Sequence, residues 1–277
     1  MPYDITVRDV RFGLSDRPTR HWLNGDFHLT AAFDCFSVML PEGERCINRS
    51  VRHYRNHVDG DLRAEVDNLS KQEAFHSREH NDYNRALVKL GYPAEEMERR
   101  LRDDIRRIDH PRKALAITCA IEHFATTLAD SVLRHPKVIE NGAEPFRTLW
   151  LWHSVEELEH SAVALDVLNV VTAHWSPLKR YAFRIACFNA TAKKMIYFWF
   201  RNVADYARAD GVQPGVKFWA RMFWVLYVNP GLARRALPTF LSYYKPGFKA
   251  TLQYDQTTID SWRTYIDGPE GISLHSA

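Results

Sequence analysis

The sequence predicts an all-α chain, a four-helix core followed by additional C-terminal helices that cover one side of it. Three observations lead there. Apolar residues recur at steps of three and four over long stretches. No segment sustains strand alternation or a hairpin turn pair, and no repeat of fixed period occurs. Glu and His stand on the apolar stripes of four of the helices, where an unpaired charge would be expensive.

Taken in order, residues 1–28 read as an irregular N-terminal segment, because Pro2, Gly13, Pro18 and Gly25 interrupt any pattern. Helical periodicity runs from Leu29 to about His57 with a break at Pro41, which suits the first turn of a restarted helix. Residues 61–90 form the clearest helix. Leu62, Val66, Leu69, Glu73, His76, His80, Tyr83 and Leu87 share one face, and Gly91-Tyr92-Pro93 ends it. The charged stretch 94–108 reads as a solvated helical connector. A third core helix spans about Pro111 to Leu133 and a fourth about Pro145 to Ala173. Residues 177–208, 214–228 and 230–244, rich in aromatic and basic side chains, complete the helices. The expected organisation is therefore a segment 1–28, a metal-binding core 29–175, an aromatic basic layer 176–265 packed on it, and a flexible tail 266–277.

Composition excludes several classes. Hydrophobic residues make up 45% and charged residues 26% of 277, with 12 Gly and 13 Pro, which rules out a disordered, collagen-like or disulfide-scaffold chain. The apolar run Met222–Val228 is far short of the roughly 20 residues of a spanning helix. No basic stretch followed by an apolar one opens the chain, so no secretion signal is expected. Cys35, Cys46, Cys119 and Cys187 form no close pair, and a cytoplasmic protein with free thiols is the expectation. The net charge of +3 hides an asymmetry, because residues 169–277 hold 14 Lys/Arg against 6 Asp/Glu.

The constellation on the stripes carries the chemistry. Two helices hold Glu-x-x-His, Glu73 with His76 and Glu157 with His160, and two others each offer one Glu, Glu44 and Glu122. The i, i+3 spacing turns both members of a pair inward from adjacent turns. One Glu from each of two helices plus Glu-x-x-His from two more is the set that a ferritin-like four-helix bundle with a dinuclear metal site uses. Four carboxylates balance two divalent ions, and a hard N/O donor set suits Fe or Mn. Two alternatives stay open, Glu42 for Glu44 and Glu156 for Glu157. His80 and His153 lie one turn from the pairs on the same faces, as ligands or as hydrogen-bond partners that orient ligands. Glu79, Glu159 and His123 neighbour the ligands as supporting or helix-surface groups.

Leu40-Pro-Glu-Gly-Glu44, Gln72-Glu-Ala-Phe-His-Ser-Arg-Glu-His80, Ala120-Ile-Glu-His123, Trp152-His-Ser-Val-Glu-Glu-Leu-Glu-His160 and Tyr244-Lys-Pro-Gly-Phe248 resemble the bacterial family of predicted metal-dependent hydrolases, over about residues 25–265. The resemblance implies a ferritin-like fold. That family continues after Pro-Gly-Phe with His-Pro-Trp, where this chain has Lys249-Ala250-Thr251, so a role of that His does not carry over. The spacing His153-x3-Glu157-x2-His160 is similar to that of the di-iron arylamine N-oxygenases, which implies His153 as an additional ligand. Thr126, one turn after Glu122, is similar to a threonine beside oxygen in bacterial multicomponent monooxygenases, which implies a catalytic role; a bond to its own helix is the alternative.

Together these features lead us to expect a dinuclear iron oxygenase or oxidase with two Fe ions, or Mn or mixed Mn/Fe, acting with O2 on a small or amphipathic, acidic organic substrate. The alternative is a dinuclear hydrolase, with Zn among its candidate metals, that cleaves an ester, amide or phosphate. No nicotinamide or flavin fingerprint is present, so an oxygenase would need a separate electron-donor protein. Thirteen Lys/Arg between 179 and 249, interleaved with aromatics, suit an acidic substrate or a peripheral anionic membrane surface. Nucleic acid is not expected, since no recognition fold accompanies the charge. An oligomer is compatible with this reading.

Overall fold

The computed structural model describes residues 5–250 and 256–268. Among these it holds the helices α1 (Phe27–Ser37), α2 (Leu40–His53), α3 (Gly60–Lys89), α4 (Ala94–Ile105), α5 (Pro111–Arg134), α6 (Phe146–Glu159), α7 (Val163–Val171), α8 (Pro177–Ala209), α9 (Val216–Tyr227), α10 (Leu232–Ser242) and α11 (Gln256–Asp267), and no strand. The all-α class is as the periodicity predicts. Pro41 sits in the first turn of α2, where its missing N–H is no loss, and its ring excludes continuation from α1. Asp26 caps α1 by accepting from the Leu29 N–H.

The core is a four-helix bundle. α2 packs along α3 and α5, α5 along α6, and α3 against α6 and α7. α8 lies across α5 and α1, α10 across α5, and α9 across α1. α4 bridges α2 and α3. Its Arg102, with Arg45 of α2, holds Glu42 and Glu98 in ion pairs at the surface of the bundle.

The fourth core helix differs from expectation. It is broken directly after the second Glu-x-x-His: α6 stops at Glu159, and α7 restarts at Val163. His160 is the C-cap, the Ser161 hydroxyl takes the Leu158 carbonyl, and Val163 N–H returns to His160 O. α11 is a further difference. It packs on α6 and α5 and reaches Asp267, two residues into the expected tail. Residues 269–277 of that tail lie outside the described residues.

The described residues 5–26 ahead of α1 hold no α-helix, yet they are not peripheral. Ile5, Val10, Leu14, Trp22 and Leu23 are buried, and the 3-10 turn at Leu14–Asp16 packs on α3. No described helix is long and apolar enough to cross a membrane.

Candidate metal centre

α6 is where side-chain periodicity fails. From Leu149 to Glu159 every residue is buried, because the helix is surrounded by α3, α5, α11 and the N-terminal segment. A helix buried all round has no polar face on which to place charge. Its three glutamates must therefore each find a partner inside, and they separate by it. Glu156 accepts from His76 Nε2 (3.0 Å), Trp152 Nε1 (3.0 Å) and Arg8 (3.2 Å). Glu159 accepts from Arg8 (3.0 Å), Arg263 (2.8 Å) and Gln72 (2.9 Å). Glu157 faces the histidines, with Oε1 3.1 Å from His153 Nε2, 3.7 Å from His76 Nδ1 and 3.8 Å from His160 Nε2.

α3 presents Glu73, His76 and His80 from three successive turns, all fully buried. Glu73 Oε1 lies 3.3 Å from His160 Nε2. Two groups of donor atoms result, Glu73, His76, Glu157 and His160 in one, and Glu44, His80 and His153 in the other, each with its atoms within 4.8 Å of one another. Glu122 of α5 adjoins the first group, its Oε2 3.1 Å from His160 Nδ1. Glu44, Glu73, His76, His80, Glu122, His153, Glu157 and His160 are thus brought together in the interior of the bundle. Of the two alternatives, Glu42 is turned outward to Arg45 and Arg102, and Glu156 is held by Arg8 and Trp152.

The cluster has unspent valences. Both oxygens of Glu44 and of Glu73, one each of Glu122 and Glu157, and the free nitrogens His76 Nδ1 and His160 Nε2 are buried without a hydrogen-bond partner. Arg8, the cation that approaches most deeply, is committed to Glu156, Glu159 and Asp267. Burial, then repulsion from Glu157, raises the Glu44 carboxyl well above its ordinary range. Burial and the Glu157, Glu122 and Glu44 carboxylates do the same to Glu73. On His160, burial is outweighed by Glu122 and Glu157, and its pKa is pushed up to about 9. Positive charge is drawn to His160, the imidazole set between Glu73, Glu122 and Glu157. A divalent pair would supply that charge and use the orphaned atoms, so the donor set fits two metal ions.

His80 and His153 form a relay. Ser37 Oγ is 2.9 Å from His80 Nδ1 and 3.1 Å from Asn84 Oδ1, and His80 Nε2 is 3.1 Å from His153 Nδ1. The Glu157 carboxylate can only accept, so His153 Nε2–H donates to it, His80 Nε2–H donates to His153 Nδ1, and His80 Nδ1 accepts from the Ser37 hydroxyl. The Thr126 hydroxyl donates to Glu122 O (2.8 Å) and His123 O (3.3 Å), within its own helix. His123 is turned away to Phe240 O (3.1 Å), and Glu79 takes the Phe12 N–H and Arg78. Lys249 and Ala250 are described, and Thr251 is not.

Arg8 and Gln72 were missed by sequence reasoning. An arginine in a segment without periodicity carries no mark of burial, and its partners lie 148 and 151 residues away. Gln72 precedes Glu73 and shares the buried side of α3, which its helical position alone could have suggested.

No curated protein and no solved structure matches the chain. A family model described as predicted metal-dependent hydrolase matches residues 6–251, a span that contains Arg8, all four core helices and the whole buried Glu/His cluster. The chain belongs to the family of predicted metal-dependent hydrolases.

Proposed function

We propose that the protein is a dinuclear metal-dependent hydrolase that cleaves a carboxyl ester or amide of an apolar acid. The observation that carries the reading is a chamber of about 320 Å³ whose wall includes Glu44 and Glu157 of the cluster and, among its apolar residues, Phe36, Met39, Leu40, Ile47 and Ile121. A volume in the range of small-molecule sites, with apolar walls and a few polar groups at one end, is the form of a substrate pocket. The exposed Arg107, Lys113 and Lys194, with Asp104 paired to Lys194, stand at its outer rim. Those apolar walls favour an acyl bond over a phosphate. The family description supports hydrolysis.

Glu44, Glu73, Glu122, Glu157, His76, His160 and His153 are the residues that would hold the ions. Such a pair supplies Lewis acidity for hydrolysis. The chain itself contributes the rest. Glu156 and Trp152 fix the His76 ring. The chain from Ser37 through His80 to His153 fixes a second imidazole and can pass a proton toward Glu157. The apolar wall excludes water from everything but the inner end.

The donor set favours a second reading, oxidation of the same apolar substrate with O2. Four carboxylates around few imidazoles suit redox-active iron, with electrons from a separate donor protein. One experiment separates the two. The protein is purified anaerobically, its metals are quantified, and O2 uptake and hydrolysis of a p-nitrophenyl acyl ester series are measured. Two Zn or Mn with ester cleavage and no O2 uptake support the first reading. Two Fe with O2 uptake and no cleavage replace it by the second.

A further inference from the structure

α8, α9 and α10 carry an apolar surface that stays exposed among the described residues. Tyr197 is 56% exposed, Phe223 59%, Trp224 47% and Leu241 50%. The surface is continuous. Ile196 of α8, Tyr227 of α9 and Leu237 of α10 line one groove of about 300 Å³, and the Phe200 and Trp219 rings join α8 to α9 at 5.3 Å. Basic side chains border it, with Lys193 and Arg201 on α8, Lys217 on α9, and Arg234 and Arg235 on α10, all exposed. The acids of this stretch are spent elsewhere, Asp205 on Arg100 and Arg208, and Asp210 on Arg20 and His21.

We propose that this face docks the protein on the anionic surface of a lipid bilayer. A contiguous exposed apolar patch marks a contact surface, and its charge complementarity selects the occupant. A second copy in a two-fold interface would set the basic border against its own equivalent, which like charges disfavour. Anionic headgroups are complementary to that border. Trp, Tyr and Phe beside Lys and Arg are the composition of a helix face lying at the headgroup level. The groove also leads inward. Phe36 lines both the groove and the chamber that reaches Glu44 and Glu157. Phe36 is thus a shared wall on the way from this face to the chamber for an apolar substrate taken from the bilayer. That route rests on the proposed function, and the docking does not.

The test is co-sedimentation of the full-length, metal-loaded protein with vesicles of phosphatidylcholine alone and of phosphatidylcholine mixed with phosphatidylglycerol. Binding to the mixed vesicles only, weakened by salt, is expected. Lys193→Glu with Arg235→Glu should lower the partition coefficient at least tenfold, since each basic residue near the surface contributes about fivefold. Phe223→Ser with Trp224→Ser should lower it comparably. Circular dichroism and metal content verify that each variant is folded, and the exposed charge pair carries the test if the apolar pair is not. No sedimentation with mixed vesicles at low salt overturns the proposal, as does undiminished binding by the charge variant. A dimer in solution that the Phe223/Trp224 variant dissolves also overturns it, assigning the face to a second copy. Turnover of a soluble ester is measured in parallel, so lost docking and a wrong reaction are distinguishable.

Discussion

Glu73→Gln tests the metal centre through two opposed effects of one change. Glu73 is fully buried, and neither of its oxygens has a hydrogen-bond partner. Without metal, burial and the carboxylates of Glu157, Glu122 and Glu44 hold its pKa well above the ordinary 4.5. Because the folded value is raised, the group's contribution is fully present below pH 4.5 and is lost as pH rises toward the folded value. At pH 7 the penalty is capped by the cost of keeping the group protonated. That cap is about 1.4 kcal/mol for each pH unit above 4.5, or about 3 kcal/mol. The amide keeps the shape and removes the charge. The chelator-treated variant should therefore gain up to about 3 kcal/mol at pH 7 and nothing at pH 4. For a chain of this size that is a rise of roughly 6–12 °C in Tm. With metal the order reverses. Saturation at a thousand times Kd stabilises the wild type by about 4 kcal/mol, and the variant loses most of that gain. Thermal scans with and without chelator, at both pH values, with metal content measured in parallel, read every arm. A variant that is less stable than wild type without metal, or that retains two ions per chain, refutes the reasoning.

Three further outcomes are expected. Arg8→Ala leaves Glu156 buried without its cation, while Glu159 keeps Arg263; denaturant unfolding should show a loss of about 3 kcal/mol, and metal titration an affinity 10–100-fold weaker through the His76 ring. His153→Ala should leave at least one ion bound but alter turnover, which metal stoichiometry beside rates will show. Asp34, buried among Trp22, Tyr83 and Tyr206, has its pKa raised to about 6 by burial against those three donors. Its contribution is full below pH 4 and is lost as pH rises through 6, so the stability of wild type relative to Asp34→Asn should fall by about 3 kcal/mol between pH 4 and pH 7.

Much of this was legible because the informative residues break a rule. Charged groups on a core stripe need an explanation, and Glu73, His76 and His80 recur on α3 at steps that only one face of a helix connects. Pro41 marked the start of α2 by covalent geometry. The same logic failed on α6. With every position from 149 to 159 buried, periodicity had nothing to distinguish. Glu156, Glu157 and Glu159 could be told apart only by their partners, and Glu159, read as a supporting or surface group, is fully interior. The break between α6 and α7 was likewise invisible, since no proline or glycine marks it.

Helical periodicity alone yields the all-α class, the order of the core helices and the paired Glu73/His76 and Glu157/His160 of the buried cluster. Each of these follows from periodicity and the energetics of burying charge, which act over one or two turns. Which carboxylates face the cluster and which are neutralised follows from tertiary packing, because it depends on Arg8 and Arg263, each more than a hundred residues from the glutamates it holds. Packing also sets an apolar chamber against Glu44 and Glu157, with Phe36 lining both it and the groove that α8, α9 and α10 border. Cavities and shared walls arise where elements distant in sequence meet, and no local pattern in the chain encodes that meeting.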